Sequence, residues 1–317
     1  MALYLREEDT RRVVSMSDAI ELVDAALRAK ARGEASNHPR VRAQAGPAGL
    51  NVLVAAYPPA GYLAVRAYST GGPGASNTIM LYRAADARPV ALLDARWLSL
   101  ARTAAASAVA TRCLARADAR TAAFVGAGRQ AFGHLDALRL VRELASVRCY
   151  APTRAHAERL AAQAAAHGLD ARATATAAEA VAGAEIVTVA TSARAIALEG
   201  RWLAPGAHVN AVGANWSADR ELDADAVLAA DLIAVDDLAN AHGECGDVLP
   251  LIADGRLAWG QLHDLGAILN GDAPGRPGPD AITLFESQGL GLEDVAVAAA
   301  AYERARAAGL GEELPFG

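Results

Sequence analysis

In the first third of the chain, the spacing of apolar residues predicts a helix followed by antiparallel strands. In residues 15–33 they recur at helical spacing, and Ser15 with Asp18 forms the capping-box pattern of a helix start. From 38 to 94, short apolar runs are separated by Gly, Pro and Asn, which is typical of antiparallel strands. A helix rich in small residues is expected at about 98–115.

Beyond residue 115 the pattern of apolar residues changes to continuous runs that alternate with helical segments. Such runs are typical of parallel strands that are buried on both faces. The chain is therefore predicted to be an α/β protein with a Rossmann-type, doubly wound parallel sheet. The strand runs are TAAFVGAG, VRCYAP, AEIVTVATS, AHVNAVGA and DLIAVDD.

Composition narrows the classes of partner. The 317 residues suffice for one large or two medium domains, and the 53% hydrophobic but only 5% aromatic content favours helix-rich layers with small side chains. A net charge of −6 and the lack of a basic run argue against nucleic acid. The charged N-terminal segment, and the lack of an uncharged 18-residue apolar run, predict a cytoplasmic protein with no membrane partner.

Residue usage also excludes several kinds of chemistry. Lys30 is the single lysine, so a P-loop lysine is missing and a Schiff base would have to form at this one position. The three cysteines have no C-x-x-C spacing and are expected to be buried thiols. The run HGECGDV contains His, Glu and Asp, but their spacing matches no recognised ligand pattern, so no metal is expected.

The stretch FVGAGRQAFGHL contains Gly126, Gly128 and Ala131 in a G-x-G-x-x-A arrangement. An apolar strand precedes it and a helix follows, which is the context of a dinucleotide-binding loop. In that context Gly126 permits the tight turn, Gly128 lets the pyrophosphate approach the backbone, and Ala131 keeps the helix close to the strand. The alternative is a tight turn with a purely structural role.

The end of the second strand of this region bears on which dinucleotide is bound. Ala151 stands where a carboxylate would bind the ribose 2′-hydroxyl of NAD(H), and Thr153 and Arg154 follow it. An arginine can pair with the 2′-phosphate of NADP(H), and no carboxylate there would repel that phosphate. The sequence thus favours NADP(H) and leaves NAD(H) open; alternatively, Arg154 is only a solvated charge.

Five ordered motifs, SLARTAAASAVATRCLA, VGAGRQA, PGAHVNAVGA, GECGDVL and LFESQGLGLEDVA, resemble the ornithine cyclodeaminase/mu-crystallin family over almost the whole chain. The resemblance implies a homodimer with two domains. Residues 1–115 and 285–317 would form an α+β domain with antiparallel strands for substrate binding and dimerisation. Residues 116–284 would form the Rossmann domain.

The resemblance also implies roles for individual residues. Arg40 matches an arginine that binds the substrate carboxylate, although Arg42 is a near neighbour in the same motif. Arg102 matches an arginine close to both substrate and nicotinamide, and Gln288 falls where the family contacts the substrate ring. Positions that contact cofactor in the family, together with Arg129 of the glycine loop, are Thr78, Gln130, Thr191, Val212 and Ser287.

Three positions depart from the cyclodeaminase pattern. A family aspartate is replaced by Asn215, a glutamate falls at about Val52, and a strand lysine becomes Arg66. Deamination requires a group that takes up and returns protons, which the amide and the valine cannot do and an arginine does not do at usable pH. Arg66 and Asn215 remain the expected catalytic and substrate-contacting positions. Asp294 is expected to cap or anchor the last helix, or alternatively to lie near the substrate amine.

These departures favour the reductase branch of the family. The expected reaction is NADPH-dependent reduction of a cyclic imino acid, Δ1-pyrroline-2-carboxylate or Δ1-piperideine-2-carboxylate, to L-proline or L-pipecolate. Hydride would pass to the carbon of the C=N bond while arginines hold the carboxylate. Three alternatives remain open: an ornithine cyclodeaminase, an amino acid dehydrogenase that resembles alanine dehydrogenase, and a crystallin-like protein that stores NADPH and a small ligand without turnover.

Overall fold

A computed structural model describes residues 2–72, 74, 76–193 and 195–315. The elements up to residue 114 are β1 (Ala2–Leu5), α1 (Glu7–Val13), α2 (Met16–Ala31), β2 (Ser36–Asn37), β3 (Val41–Ala45), β4 (Ala48–Tyr57), β5 (Tyr62–Thr70), β6 (Asn77–Arg83), β7 (Pro89–Asp94) and α3 (Arg96–Leu114). Those that follow are β8 (Thr121–Val125), α4 (Arg129–Val141), β9 (Ser146–Tyr150), α5 (Arg154–Ala166), β10 (Asp170–Ala173), α6 (Ala177–Val181), β11 (Ile186–Val189), β12 (His208–Ala211), α7 (Ala224–Leu228), β13 (Leu232–Val235), α8 (Leu238–Glu244), α9 (Leu249–Ala253), β14 (Leu262–Asp264), α10 (Leu265–Asn270), β15 (Thr283–Glu286), α11 (Gly291–Ala307) and β16 (Glu312–Leu314).

The chain divides into two compact units. The first unit runs up to Arg102 and resumes at Gly289, and the second unit comprises Thr103–Gln288. Helix α3 contributes residues to both units. Domain boundaries at 115 and 285, expected from the family resemblance, stay a prediction.

The first unit is built on a mixed sheet with the strand order β16-β1-β7-β6-β5-β4-β2, and β3 also pairs with β4. All neighbours are antiparallel except β1 and β7, which run parallel. Because side chains alternate across a strand, β4 buries Leu53 and Ala55 on the face against which α11 packs. The opposite face carries Leu50 and Val54, which are 46% and 40% exposed.

Helix α2 shows how local sequence sets an element of this unit. The Ser15 hydroxyl accepts the Asp18 N–H at 3.1 Å, and the Asp18 carboxylate accepts the Ser15 N–H at 2.9 Å. This reciprocal pair satisfies two backbone donors at the helix start. The predicted capping box is thus confirmed, and the helix buries Ile20, Val23 and Leu27 along one face.

The second unit is built on a parallel sheet with the order β10-β9-β8-β11-β12-β15-β13-β14. Phe124 of β8 packs into one apolar cluster, whereas Ala123 and Val125 pack into another on the opposite face. Both faces of the sheet are therefore covered, and the predicted doubly wound α/β class is confirmed. Strand β15 lies between β12 and β13, an insertion that the apolar pattern did not reveal.

Among residues 2–72, 74, 76–193 and 195–315, no helix has the length and apolar character that a membrane span requires. In the same ranges, no three His, Cys, Asp or Glu side chains are grouped so as to hold a metal ion.

Candidate functional site

Four neighbouring strands of the second unit end in loops that contain predicted cofactor-binding residues. The last residues of β8, β11, β12 and β15 are paired in register across the sheet. Parallel strands share one carboxyl edge, so the structure brings Gly126, Thr191, Val212 and Ser287 to the same edge. The chain passes from β8 to β9 on one side and later to β11 on the other, which makes this edge a topological switch point.

The glycine loop has the geometry of a phosphate cradle. Gly126 has a φ of +101°, and a Cβ at this position would lie 2.3 Å from the carbonyl oxygen of Ala190. Only glycine therefore fits the turn. Gly128 is the N-cap of α4, and a Cβ there would meet no atom within 4 Å, so the backbone is open to a ligand. Ala131 is fully buried in the cluster that contains Phe124.

Gln130 supplies a test of whether a dinucleotide fits this loop. Its Oε1 is buried and accepts no hydrogen bond from the residues that the structure describes. A buried acceptor of this kind costs free energy unless a partner donates to it. The preceding Arg129 is exposed at the first position of α4. The open cradle and the unsatisfied amide oxygen both suit a bound dinucleotide.

The end of β9 contains the residues predicted to discriminate between the two dinucleotides. Ala151 is buried, Thr153 is the N-cap of α5, and Arg154 begins that helix. The Arg154 side chain is mostly exposed and donates to Glu158 at 2.8 Å. This ion pair on the helix surface matches the solvated-charge alternative, and Arg154 follows the end of β9 by four residues.

Arg66 is held in the first unit by polar contacts from several elements. Its Nε donates to Asn77 Oδ1 at 3.0 Å and its Nη2 donates to Ser99 Oγ at 2.8 Å. Its Nη1 lies 3.2 Å from Asp294 Oδ2 at the start of α11. The guanidinium carbon also lies 4.8 Å from the centre of the Tyr68 ring. These contacts fix the orientation of a fully buried cation.

Arg102 shares the same aspartate. Its Nε donates to Asp294 Oδ1 at 3.1 Å, and its Nη1 donates to Glu293 Oε2 at 3.0 Å. Gly289 has a φ of +78°, and a Cβ there would lie 2.5 Å from Nη1 of Arg102. Arg102 thus donates to two acids, from Nε and from Nη1, and glycine is required at position 289 beside it.

Arg40 joins this group from the other side of Gly289. Its Nη2 donates to the Gly289 carbonyl oxygen at 3.1 Å, and its guanidinium carbon lies 5.9 Å from the Tyr68 ring centre. We call Arg40, Arg66, Arg102, Glu293 and Asp294 the arginine cluster. Within the first unit the structure therefore groups all three arginines that the sequence analysis singled out.

Burial and charge act in opposite directions inside the arginine cluster. Burial lowers the pKa of Arg66, and the charge of Asp294 only partly offsets it. Burial acts to lower the pKa of Arg102 as well, but the charges of Asp294 and Glu293 outweigh it and raise that pKa. Burial raises the pKa of Glu293 against the opposing charge of Arg102. Both guanidinium groups remain cations, because arginine is protonated at any physiological pH.

Two residues that the resemblance singled out lie on the other face of the first unit's sheet. Val52, Ala67 and Thr78 are paired across β4, β5 and β6, so they share the face opposite Arg66. The residue of β4 that pairs with Arg66 is Leu53, which is fully buried. Residues 52 and 53 are both apolar, so neither position carries the glutamate of the cyclodeaminase pattern.

The acidic members of the arginine cluster were not foreseen as partners of its arginines. Asp294 was expected to anchor the last helix, and it does lie in the first turn of α11, where a carboxylate favours the helix dipole. Asp294 binds both Arg66 and Arg102, and each of these arginines is more than 190 residues away from it in sequence. The motif GLED, with two acids at a helix start, was the available signal.

Comparison with known proteins agrees with these features. Residues 2–309 match the sequence profile of the ornithine cyclodeaminase/mu-crystallin family. A Delta(1)-pyrroline-2-carboxylate reductase from Bacillus cereus is 34% identical over 243 residues, which is 76% of this chain and 74% of the relative.

Two solved structures superpose over nearly the whole chain. One is the Delta(1)-pyrroline-2-carboxylate reductase of Thermococcus litoralis in complex with NADH and L-proline, with a TM-score of 0.93, 30% identity, and coverage of 98% of this chain and 100% of that one. The other is an archaeal alanine dehydrogenase dimer with bound NAD, with a TM-score of 0.94, 28% identity, and coverage of 100% and 99%.

Proposed function

Because the chain belongs to the ornithine cyclodeaminase/mu-crystallin family, we propose that it is an NAD(P)-dependent oxidoreductase that reduces cyclic imino acids. The substrates are Δ1-pyrroline-2-carboxylate or Δ1-piperideine-2-carboxylate, and the products are L-proline or L-pipecolate. The relatives that reduce pyrroline-2-carboxylate support this reaction.

The grouping of three buried arginines is the observation that carries the proposal. The arginine cluster brings Arg40, Arg66 and Arg102 together with the acids Glu293 and Asp294. A guanidinium group binds a carboxylate through two parallel hydrogen bonds. Arg40 and Arg102 would bind the carboxylate of the imino acid in this way.

The chemistry that remains is modest. The glycine loop, Gln130, Thr191, Val212 and Ser287 would hold the nicotinamide dinucleotide, which would supply the hydride when bound. A protonated C=N bond is already electrophilic, so the chain mainly has to orient the substrate and exclude water. Asn215 carries an amide and the neighbour of Arg66 on β4 is Leu53, so neither position offers a carboxylate for a second amine.

Preference for NADP(H) over NAD(H) is part of the proposal. Ala151 carries no charge to repel a 2′-phosphate, and Arg154 is close in sequence and exposed. The structures reported with NADH and with NAD are of relatives, so the preference has to be measured on this protein.

A homodimer is also proposed, through the open face of the first unit's sheet. Val41, Leu50, Val54 and Leu63 are between 37% and 65% exposed on this face. A contiguous apolar patch of this kind marks an interface. The related alanine dehydrogenase is a dimer. The cytoplasmic location expected from the sequence stays a prediction.

The decisive experiment is a comparison of initial rates. We expect oxidation of NADPH, and more slowly of NADH, with five- and six-membered cyclic imino acids. Arg40→Ala should raise the KM for the imino acid, and Arg42→Ala, which removes the neighbouring arginine on β3, should leave it unchanged. A wild-type enzyme that oxidises no coenzyme with either ring would refute the proposal and favour a storage protein.

Two other activities are checked in the same assay. An alanine dehydrogenase-like enzyme is favoured by the 28% identity to the archaeal dimer, and it would oxidise coenzyme with pyruvate plus ammonia. An ornithine cyclodeaminase would release ammonia from ornithine with catalytic NAD. Either result at a rate above that of the cyclic imino acids would overturn the assignment.

A further inference from the structure

Glu221 links two loops at the carboxyl edge of the second unit's sheet. It is only 1% exposed, and both of its carboxylate oxygens accept backbone N–H groups. Thr191, which follows β11, donates to Oε1 at 2.7 Å, and Gly213, which follows β12, donates to Oε2 at 2.6 Å. Because β11 and β12 are neighbours in the sheet, one side chain ties together the two loops that leave them.

The backbone of Glu221 is fixed in turn. Asp247 Oδ1 accepts the N–H groups of Glu221 and Leu222 at 2.9 and 2.8 Å. The Glu221 carbonyl oxygen accepts from Ala197 at 2.7 Å. This accounts for part of the HGECGDV motif: its aspartate holds the segment from which Glu221 projects.

Two glycines are required for this arrangement. A Cβ on Gly213 would lie 2.2 Å from Oε2 of Glu221, and a Cβ on Gly246 would lie 2.0 Å from the carbonyl oxygen of Asp219. Any other residue at these positions would displace the carboxylate or the segment that carries it. The sequence thus contains the glutamate, the aspartate and the two glycines that the link needs.

The linked loops are those that would hold the cofactor. Thr191 and Val212 are predicted cofactor contacts, and Asn215 lies within the segment that the Gly213–Glu221 bond closes. Gly126 of the glycine loop lies close to the loop after β11, since a Cβ built at Gly126 would be 3.1 Å from Cγ2 of Thr191. Glu221 therefore fixes a loop that lies beside the cradle.

We propose that Glu221 is a positioning residue for dinucleotide binding, which holds the loops after β11 and β12 at the spacing that the cofactor requires. This inference rests on the proposed function, because it presupposes that the cofactor binds at this edge. Its physical basis is that a carboxylate accepts two N–H groups at once, whereas an amide of the same shape accepts one and presents its own NH₂ to the other.

The chain offers a matched control at the opposite edge of the same sheet. Glu185, just before β11, accepts the N–H groups of Arg120 and Thr121 at 2.8 and 3.0 Å. It also bridges two backbone segments, but at the amino end of β8 and β11. A variant there should weaken the fold without changing the loops at the carboxyl edge.

The experiment measures the dissociation constants of NADPH and NADH by titration calorimetry, beside thermal unfolding of each variant. Glu221→Gln should raise the Kd of both dinucleotides at least about tenfold, since it removes a charge-assisted hydrogen bond from one loop. Glu185→Gln should lower the Tm but leave each Kd within about twofold of the wild type. Amide exchange at Thr191 and Gly213 should accelerate only in Glu221→Gln.

A second variant covers the case in which Glu221→Gln does not fold. Glu221→Asp keeps the charge but is one methylene too short to reach both loops, so it should also weaken dinucleotide binding. Wild-type affinity in either folded Glu221 variant, with faster exchange at Thr191 and Gly213, would overturn the inference. A wild-type protein that binds neither NADPH nor NADH would instead refute the proposed function on which it rests.

Discussion

The two compact units both bury acidic side chains, but they satisfy them with different partners. In the first unit Glu293 and Asp294 accept from the guanidinium groups of Arg66 and Arg102. In the second unit Glu221 and Asp247 accept mainly from backbone N–H groups. A guanidinium brings a full positive charge, whereas an N–H group brings only a dipole.

This difference appears in the pKa values of the buried acids. In the first unit the charge of Arg102 opposes the effect of burial on Glu293. In the second unit burial raises the pKa of Glu286, and the charges of Asp247 and Glu221 raise it further. Burial likewise raises the pKa of Asp247 to about 6. Glu286 and Asp247 therefore take up protons more readily than ordinary carboxyl groups.

The comparison separates two uses of buried charge. The arginine cluster groups three buried guanidinium cations, which suits a site for an anionic substrate. The acids of the second unit instead organise backbone loops beside the proposed dinucleotide site. Removing a partner should therefore affect substrate binding in one unit, and the response to pH or the affinity for coenzyme in the other.

The largest effect is expected for Arg102→Ala. It leaves Glu293 and Asp294 without a shared buried cation, so the free energy of unfolding should fall by about 3–5 kcal/mol. The KM for the imino acid should rise about a hundredfold, because one of the two arginines proposed to bind its carboxylate is lost. Urea unfolding and NADPH-oxidation rates measure the two effects.

The control for this variant is Arg28→Ala in α2. Arg28 pairs with Asp24 at 2.7 Å but is more exposed, so the loss should be at most about 1 kcal/mol with an unchanged KM. If folded Arg102→Ala kept the wild-type KM, the substrate carboxylate would have to bind elsewhere.

The second-largest effect is expected from the protonation of Asp247. Its folded pKa of about 6 lies above the ordinary value of 3.8, so the folded state binds more protons between these values. The free energy of unfolding contributed by Asp247 is thus largest at low pH and is lost as pH rises through about 6. Relative to Asp247→Asn, the wild type should gain roughly 1–1.5 kcal/mol between pH 8 and pH 5 in urea unfolding.

Comparing wild type with Asp247→Asn removes the pH effects of groups remote from Asp247. Asp18, whose pKa the Arg304 side chain lowers to about 2, titrates alike in both proteins. The charged and titratable groups that interact with Asp247 in the described residues include Glu221, Glu286, Cys245 and Arg220. A stability difference between wild type and Asp247→Asn that is constant from pH 8 to 5 would contradict the raised pKa.

A smaller effect, on the preference between NADH and NADPH, is expected when an acid replaces Ala151. Ala151→Asp places a carboxylate at the end of β9, where it would repel a 2′-phosphate and accept a ribose hydroxyl. The ratio of the Kd values for NADH and NADPH should shift toward NADH by about tenfold. Ala162→Asp on the exposed side of α5 controls for net charge, and an equal shift there would argue against a specific site.

The smallest effect is expected for Arg154→Ala. Its ion pair with Glu158 is on the surface, so the free energy of unfolding should change by less than about 1 kcal/mol. The Kd for NADPH should nevertheless rise about fivefold while that for NADH stays constant. Arg159→Ala on the same helix is the control. Unchanged NADPH binding in Arg154→Ala would leave this arginine as a solvated charge.

Much of the fold could be predicted because local signals were strong. The capping box of α2, the continuous apolar runs of the parallel strands and the family motifs all appear in the sequence as written. The α/β class and the family are confirmed by the sheet topology and by the match over residues 2–309. The predicted roles of the site residues remain predictions that the experiments above will test.

Other features depended on contacts between distant residues. The position of β15 between β12 and β13 follows from sheet pairing, which apolar runs do not encode. Whether position 52 or 53 faces Arg66 follows from strand register, since a shift by one residue changes the face.

The amino-acid order alone specifies that Gly126 can form a tight turn and that position 151 carries no charge. These properties belong to single residues and their immediate neighbours. It does not specify that Asp294 joins Arg66 to Arg102, or that Glu221 joins the loops after β11 and β12. Those pairings arise when packing brings together groups that are far apart along the chain, and burial then makes each unsatisfied charge or N–H group costly.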